Sequence, residues 1–518
     1  MVRTKWFLVL VVAALALAGP LQAKEWTLLV YIAGDNDLAR FGLIDINEME
    51  TVGSTDEVDV IVQFDGSKKY SPEFPSSVRL HIQKDNDLNR IGSTVVEDLG
   101  EVNMGKKKTF RKFVEWGVKN YPAKKYAVVL WNHGNGWYED VESTGLDFTS
   151  PRDIENISNA IDQMDSKADM KTVLNDEISR RRVATEVGKK YHVRPFGGAS
   201  QPEAEEDTPF ADENEDGVCF DEGWFGSKAA LSTTDIREVL EKVSKKLPSG
   251  QEIELIGFDA CLMAMVEVFH ELRNVGNYAV ASQKTEPGDG WAYDGFLPAL
   301  AANPKMDGKE LGAAIVSSYT AHYRKTNEQE VNPFRKSNTT LCCVDLSKME
   351  LLGKACDLLA KYLTIEMPSK RWDIWSATMV SQHCGEIGTT KPNVLLIMTA
   401  HRDVIDFARK IAFTFRNDNR AVEYCEMLIE CAQMAITSFE KNEGKPLLGV
   451  QDATGLAIYL PFLKVEADYD DLEMGRSDWG KFVQAFKANA AEKQQLVASM
   501  TGRASKTRKA QFNKLHSH

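Results

Sequence analysis

No C-x-x-C pair occurs in this 518-residue chain, and the cysteines at 219, 261, 342, 343, 356, 384, 425 and 431 show no spacing that resembles a zinc site. They form no dense disulfide framework either. Most sit inside apolar patterns, where a buried free thiol is the default. Positive charge is scarce: the formal net charge is -14, and phosphate backbones need a basic surface or stripe, so nucleic acid is excluded as a partner. The one basic run, Arg503 to Lys514, lies in the tail and reads as a solvated end. No phosphate-binding loop and no G-x-G-x-x-G opening a helix is present, which removes nucleotide-binding enzymes. No repeat of solenoid or propeller period is found. After residue 23 no apolar run reaches the roughly 20 residues needed to span a bilayer, so the mature chain is expected to have no transmembrane helix.

What is present begins with Met1 to Ala23. Arg3 and Lys5 precede an apolar run from Trp6 to Ala18, then Gly19, Pro20 and the small residue Ala23, the pattern of a secretory signal peptide. Export to the periplasm or beyond the cell is expected. With 43% hydrophobic and 27% charged residues, the remainder has the composition of a folded globular protein. Its length implies more than one domain.

Short apolar runs ending in turn residues alternate with helical-period segments, which predicts an α/β fold with an open, mostly parallel sheet flanked by helices. The expected core strands are Trp26 to Ala33, Val58 to Phe64, Tyr126 to Trp131, Ile253 to Phe258 and Tyr278 to Ser282. An insertion is expected over about 138–230, carrying a basic patch (Arg180, Arg181, Arg182, Lys189, Lys190) and then an acidic stretch, Glu203 to Asp216, with little that could pack. Ser232 or Thr233 is expected to cap the helix that follows. The α/β domain is taken as 24–335, a mostly helical C-terminal domain as 336–500, and a basic tail as 501–518. The C-terminal domain also contains a strand-like GLAIYL segment at Gly455 to Leu460.

In open parallel sheets, ligands gather beyond the carboxyl ends of the strands. Those ends carry Asp35 and Asp37, then Asn132-His133-Gly134, then Asp259-Ala260-Cys261, then Thr285 to Trp291. A histidine and a thiol are the minimum equipment for nucleophilic acyl transfer, and no other His–Cys pair in the chain has this placement. Gly134 offers a backbone N–H to a developing oxyanion. Asp35 and Asp37 are read first as structural hydrogen-bonding groups that hold loops, with metal binding as the alternative. Asp212, Asn214, Asp216 and Gly217 have the alternating spacing of a calcium loop, although Gly223 stands where an EF-hand has glutamate. Calcium is therefore a candidate ligand there, and the chemistry itself calls for no cofactor.

The stretches YAVVLWNHGNGW (126 to 137) and IELIGFDACLMAMVEV (253 to 268) resemble the two signature regions of the clostripain family of cysteine peptidases, in the clan that includes caspases. WTLLVYIAGDNDL, ASQKTEPGDGWAYD, TLCCVDLSKMELL, DVIDFARK and GLAIYLP extend the resemblance over most of the chain. It implies a caspase-like sheet, catalysis by His133 and Cys261 through a thioester, and Gly134 at the oxyanion. A preference for a basic residue before the scissile bond is also implied, with Asp259 and Asp289 as the matching acids. Substrates would be proteins or peptides, and processing between the histidine and cysteine strands is expected. Asp259 has a second reading, bonding backbone amides at the strand end, and Asp289 a second reading as a turn residue. Two alternatives stay open: a peptidase of other specificity on the same fold, and a non-catalytic surface binding protein that retains it.

Overall fold

Strands covered on both faces read as continuous apolar runs, because neither face meets water. The computed structural model describes residues 23–137, 218–221, 229–331, 336–384, 400–444, 449–462 and 464–488. Its strands are β1 (Lys24–Ala33), β2 (Val58–Asp65), β3 (Ser77–His81), β4 (Thr94–Gly100), β5 (Ala123–Trp131), β6 (Val218–Asp221) and β7 (Ala229–Leu231). They continue with β8 (Glu252–Asp259), β9 (Tyr278–Ala281), β10 (Thr339–Asp345), β11 (His401–Asp403), β12 (Ile436–Asn442) and β13 (Ala457–Tyr459). The helices are α1 (Ala39–Glu50), α2 (Lys107–Asn120), α3 (Thr233–Ser244), α4 (Val266–Leu272), α5 (Tyr293–Ala302) and α6 (Gly308–Gln329). Then come α7 (Met349–Val380), α8 (Val404–Thr414), α9 (Asn419–Ala435), α10 (Glu473–Arg476) and α11 (Asp478–Phe486).

One nine-stranded sheet runs in the order β12-β10-β9-β8-β5-β1-β2-β3-β4. The five central strands, β9, β8, β5, β1 and β2, are parallel. Two antiparallel strands finish each side. Side chains alternate across the sheet as the pleat dictates. In β5, Tyr126, Val128 and Leu130 join the core under α2, α3, α4 and the C-terminal helices. Ala127, Val129 and Trp131 join the core under α1, α5 and α6.

All five expected core strands are present within three residues of their ends. The edge strands β3 and β4 were not expected; β4 is exposed along nearly its whole length and lacks the apolar signal that marks the centre. The segment after 335, read as a mostly helical domain, contributes β10 and β12 to this same sheet. Helices α7, α8 and α9 share one hydrophobic cluster with β5, β8 and α4, so no separate core begins there. GLAIYL supplies β13, whose Ala457 bridges Met265 just after the β8 turn.

Local sequence accounts for several helix starts. Ser232 accepts from Asp235 N at the head of α3, as expected. Asp307 and Glu310 form a reciprocal capping box on α6. Pro368 lies inside α7 two residues before the break in helical geometry at Lys370, which fits a proline kink. Arg273 ties α4 to the C-terminal layer, pairing with Glu350 at 2.9 Å and Glu473 at 2.7 Å.

Candidate active site

From β1 the chain runs to β2, β3 and β4 on one side, and then returns to β5 on the other side of β1. That reversal opens a crevice at the carboxyl ends of β1 and β5, the place where open α/β sheets bind ligands. Strands β5 and β8 are paired in register, Trp131 opposite Asp259. His133 and Cys261 each lie two residues beyond that pair, so the register brings both to the same level of the crevice.

Of the eight cysteines, all free, Cys261 alone is not buried. Burial pushes the other thiols up, Cys343, Cys384 and Cys425 to about 12, and such thiols are poor nucleophiles at neutral pH. The Cys261 sulfur is held by loop backbone: the Glu286 amide donates to Sγ at 3.2 Å. A tight turn follows. Leu262 has φ of 65°, in a region that costs a non-glycine residue about 1–2 kcal/mol. Two hydrogen bonds hold that conformation, Leu262 N to Lys284 O at 3.0 Å and Ala264 N to Ser282 O at 2.9 Å. Backbone strain kept in place by its surroundings is frequent at catalytic turns.

Gly134 must be glycine for steric reasons. A Cβ there would meet Cys261 O at 2.5 Å and Cys261 N at 3.1 Å, so the two backbones lie against each other. Gly134 also bridges Val218, where the described chain resumes after residue 137.

His133 Nε2 lies 2.9 Å from Asp37 Oδ1, and this hydrogen bond is the chief cause that lowers the Asp37 carboxyl below its ordinary value. Asp37 thus holds an active-site loop, the reading preferred for it over metal binding. With Nε2 engaged, Nδ1 is the ring nitrogen left for proton transfer. The pair is largely exposed, at 45% and 65%, so solvent screens it and its energetic worth is small. Its effect is on orientation. Asp37→Asn is expected to lower kcat about three- to tenfold and leave KM unchanged, the signature of lost positioning in steady-state kinetics; a loss confined to KM would refute this role.

The proposed specificity acids occupy different depths. Asp259 is 3% exposed, accepts from Trp291 N at 3.2 Å on both oxygens and from Tyr293 OH at 3.0 Å, and is raised by burial to about 6. It therefore does bond a backbone amide. Asp289 is exposed on the loop above. Two further acids were missed in the sequence. Asp45 on α1 is fully buried and accepts from Trp131 Nε1 at 2.5 Å. Glu286, whose amide donates to the Cys261 sulfur, turns its carboxyl inward against Asp259. The signal for Glu286 was its place in the TEPGDGW motif; for Asp45 it was an acid within the apolar stretch Leu43 to Ile46. Asp212, Asn214 and Asp216 lie outside the described residues. Among the described residues, a cluster of His270, Glu350 and Glu473 has metal-like spacing, but the Arg273 guanidinium already neutralises the two glutamates.

An unburied thiol and a histidine at the crevice of a caspase-like sheet are the arrangement expected of a cysteine-type peptidase. The chain belongs to the clostripain family, peptidase family C11, whose profile matches residues 30–176 and 203–485. It is similar to clostripain of Hathewaya histolytica, 24% identical over 373 residues that cover 66% of this chain and 57% of that protein. The chain thus spans somewhat over half the length of that curated relative. Its fold is shared with a secreted C11 cysteine protease of Bacteroides thetaiotaomicron solved with an irreversible peptide inhibitor: TM-score 0.53, 17% identity, 89% of this chain and 99% of the other. It is shared equally with an inactive zymogen C11 protease of Parabacteroides distasonis: TM-score 0.53, 16% identity, 88% and 99%.

Proposed function

We propose that this protein is an exported endopeptidase that hydrolyses peptide bonds after basic residues, using a Cys261–His133 dyad. The observation that carries the reading is the register of β5 and β8, which brings the one unburied thiol and His133 to matching positions beyond Trp131 and Asp259. In the first step the Cys261 thiolate attacks the peptide carbonyl, the C–N bond breaks, and the leaving amine takes a proton from His133. Water, deprotonated by His133, then attacks the thioester, releasing the acid and restoring the thiol. The backbone N–H groups of Gly134 and Cys261 would stabilise the oxyanion of both steps. Asp259 and Asp289 would recognise the basic side chain, Asp259 from the floor and Asp289 from the rim. Among the described residues no helix is long and apolar enough to cross a membrane, which is compatible with export. A panel of fluorogenic peptides differing only in the residue before the scissile bond tests the reading; cleavage that does not favour Arg or Lys would overturn the specificity.

Self-cleavage between the two catalytic strands is part of this proposal. The described chain leaves the site at Trp137 and resumes at Val218, which bridges Gly134 beside Cys261. Both ends of the intervening segment therefore lie at the catalytic crevice. Arg152, Arg180, Arg181, Arg182, Lys189 and Lys190 belong to that segment, outside the described residues, and are of the type the pocket would accept. Intact mass followed over time is expected to show wild type converting to two chains that meet near residues 180 to 190, while Cys261→Ala stays whole. A fully active wild type that remains one chain would remove self-activation.

A further inference from the structure

Beneath the nucleophile lies a group of carboxyls that the catalytic reading does not explain. Asp45 is fully buried, Asp259 is 3% exposed, and the carboxyl oxygens of Glu286 are buried as well. All three converge: a Cβ at Gly290 would meet Asp259 Oδ1 at 2.9 Å and Asp45 Oδ2 at 3.3 Å, and the Glu286 carboxyl packs on that of Asp259. Asp45 Oδ1 has no hydrogen-bond partner, and the neighbours of the Glu286 carboxyl are Asp259 and the Trp291 indole. Trp291 Nε1 is buried beside them, a neutral donor at the Glu286 carboxyl.

The groups facing this well are nearly all acidic or neutral. Glu48 of α1 stands near it, raised by burial to about 8, with Asp294 close by. Asp289, Tyr293, Tyr319 and Tyr323 complete the titratable surroundings. The Cys261 thiol lies above, at the Glu286 amide. Among the described residues, no lysine or arginine forms an ion pair with Asp45, Asp259 or Glu286. Carboxylates in contact, away from water and without a cation, cannot all be ionised. Burial is the largest cause raising each of the three.

We propose that Asp45, Asp259 and Glu286 form a three-carboxyl well that keeps at least one proton while empty and releases it when the basic side chain of a substrate enters, making recognition itself a proton-releasing step. This rests on the reading that a basic residue precedes the scissile bond. A guanidinium brings five N–H donors in a planar fork, enough to serve all three acids at once. It also brings the positive charge that lets all three acids ionise. The carboxyl O–H bond breaks, its proton leaves to solvent, and no other covalent bond changes.

The sign of the pH dependence follows. Asp45 and Glu286 are raised by burial, and as pH falls through about 6 Asp259 takes up a proton as well, so a cation must displace protons to bind. Affinity for a basic side chain should therefore rise as pH climbs from 6 towards 8, while affinity for a neutral isostere stays flat. The test uses full-length Cys261→Ala, which binds without cleaving, and a pair of short peptides ending in arginine or in citrulline. Titration calorimetry in buffers of different ionisation enthalpy counts the protons. Near pH 7 the arginine peptide is expected to release about one proton and to bind roughly 30- to 100-fold more tightly at pH 8 than at pH 6. The citrulline peptide is expected to release none. Adding Glu286→Gln, or Asp45→Asn as an independent second variant, should cut the proton count by half or more. Tighter binding of arginine than citrulline with no proton released would overturn the well and leave basic specificity standing. Equal binding of the two peptides at every pH would overturn the specificity itself.

Discussion

Cys261→Ala is expected to abolish peptide hydrolysis and leave the fold intact. The side chain lies at a strand end, is only half-buried, and is small, so its loss opens no large cavity of the kind that destabilises cores. The thermal midpoint and circular dichroism should match wild type. His133→Ala is expected to be equally inactive, because a thiolate without a proton donor cannot expel an amine. The largest structural loss there is a single exposed hydrogen bond to Asp37. Nucleophilic and acid-base contributions are normally about 10²-fold or more each, so turnover above about a tenth of wild type in Cys261→Ala would refute the assignment. Gly134 makes a useful contrast. A methyl group there collides with the Cys261 carbonyl, so its effect would come from displaced backbone and should alter both kcat and stability.

Much of this site could be read before any coordinates. Central strands of an α/β sheet announce themselves as unbroken apolar runs, and the residues just past them are where chemistry collects. His133 and Cys261 were singled out as candidates by that rule and by family resemblance together. Other features left no such trace. β4 is solvent-exposed and carries no apolar pattern, while β10, TTLCCVD, reads equally as a buried strand of a second domain. Only the pairing of Cys342 and Cys343 with β9 shows that it extends the first sheet. Asp45 looks in sequence like a surface residue on a helix, because nothing local says that its helix turns that face towards Trp131. Contacts made across long separations in sequence are what a local pattern cannot carry.

The C-terminal layer is tied to the candidate site more closely than its helical composition suggests. Gln283, three residues before Glu286, donates to Asp403 at 3.0 Å, and Asp403 also caps α8 and accepts from Thr454 N at 2.7 Å. The loop that lies over the thiol is therefore anchored to α8 and to the segment that leads into β13. Tyr459 N in turn donates to Glu267 on α4 at 3.0 Å. Separate expression of residues before 336 would strip these anchors along with two strands of the sheet.

Asp259→Asn is expected to lower kcat/KM for arginine substrates by tenfold or more, about 1.4 kcal/mol, and that for citrulline substrates by less than about threefold. The argument rests on where Asp259 sits. It ends β8 two residues before the nucleophile, and its carboxyl is buried where an incoming charge would meet no competing cation. Asparagine preserves shape and one acceptor oxygen but removes the negative charge, so a guanidinium loses a charge-assisted partner worth roughly 1.5–3 kcal/mol. Part of any loss will be structural, since Trp291 N and Tyr293 OH both donate to this carboxyl and an amide cannot accept at both of its ends. The citrulline substrate measures that part, being matched in shape and uncharged. A selective loss on arginine assigns Asp259 to recognition. An equal loss on both substrates would make it a scaffold residue of the Trp291 loop, and basic specificity would then have to rest on Glu286 and Asp289.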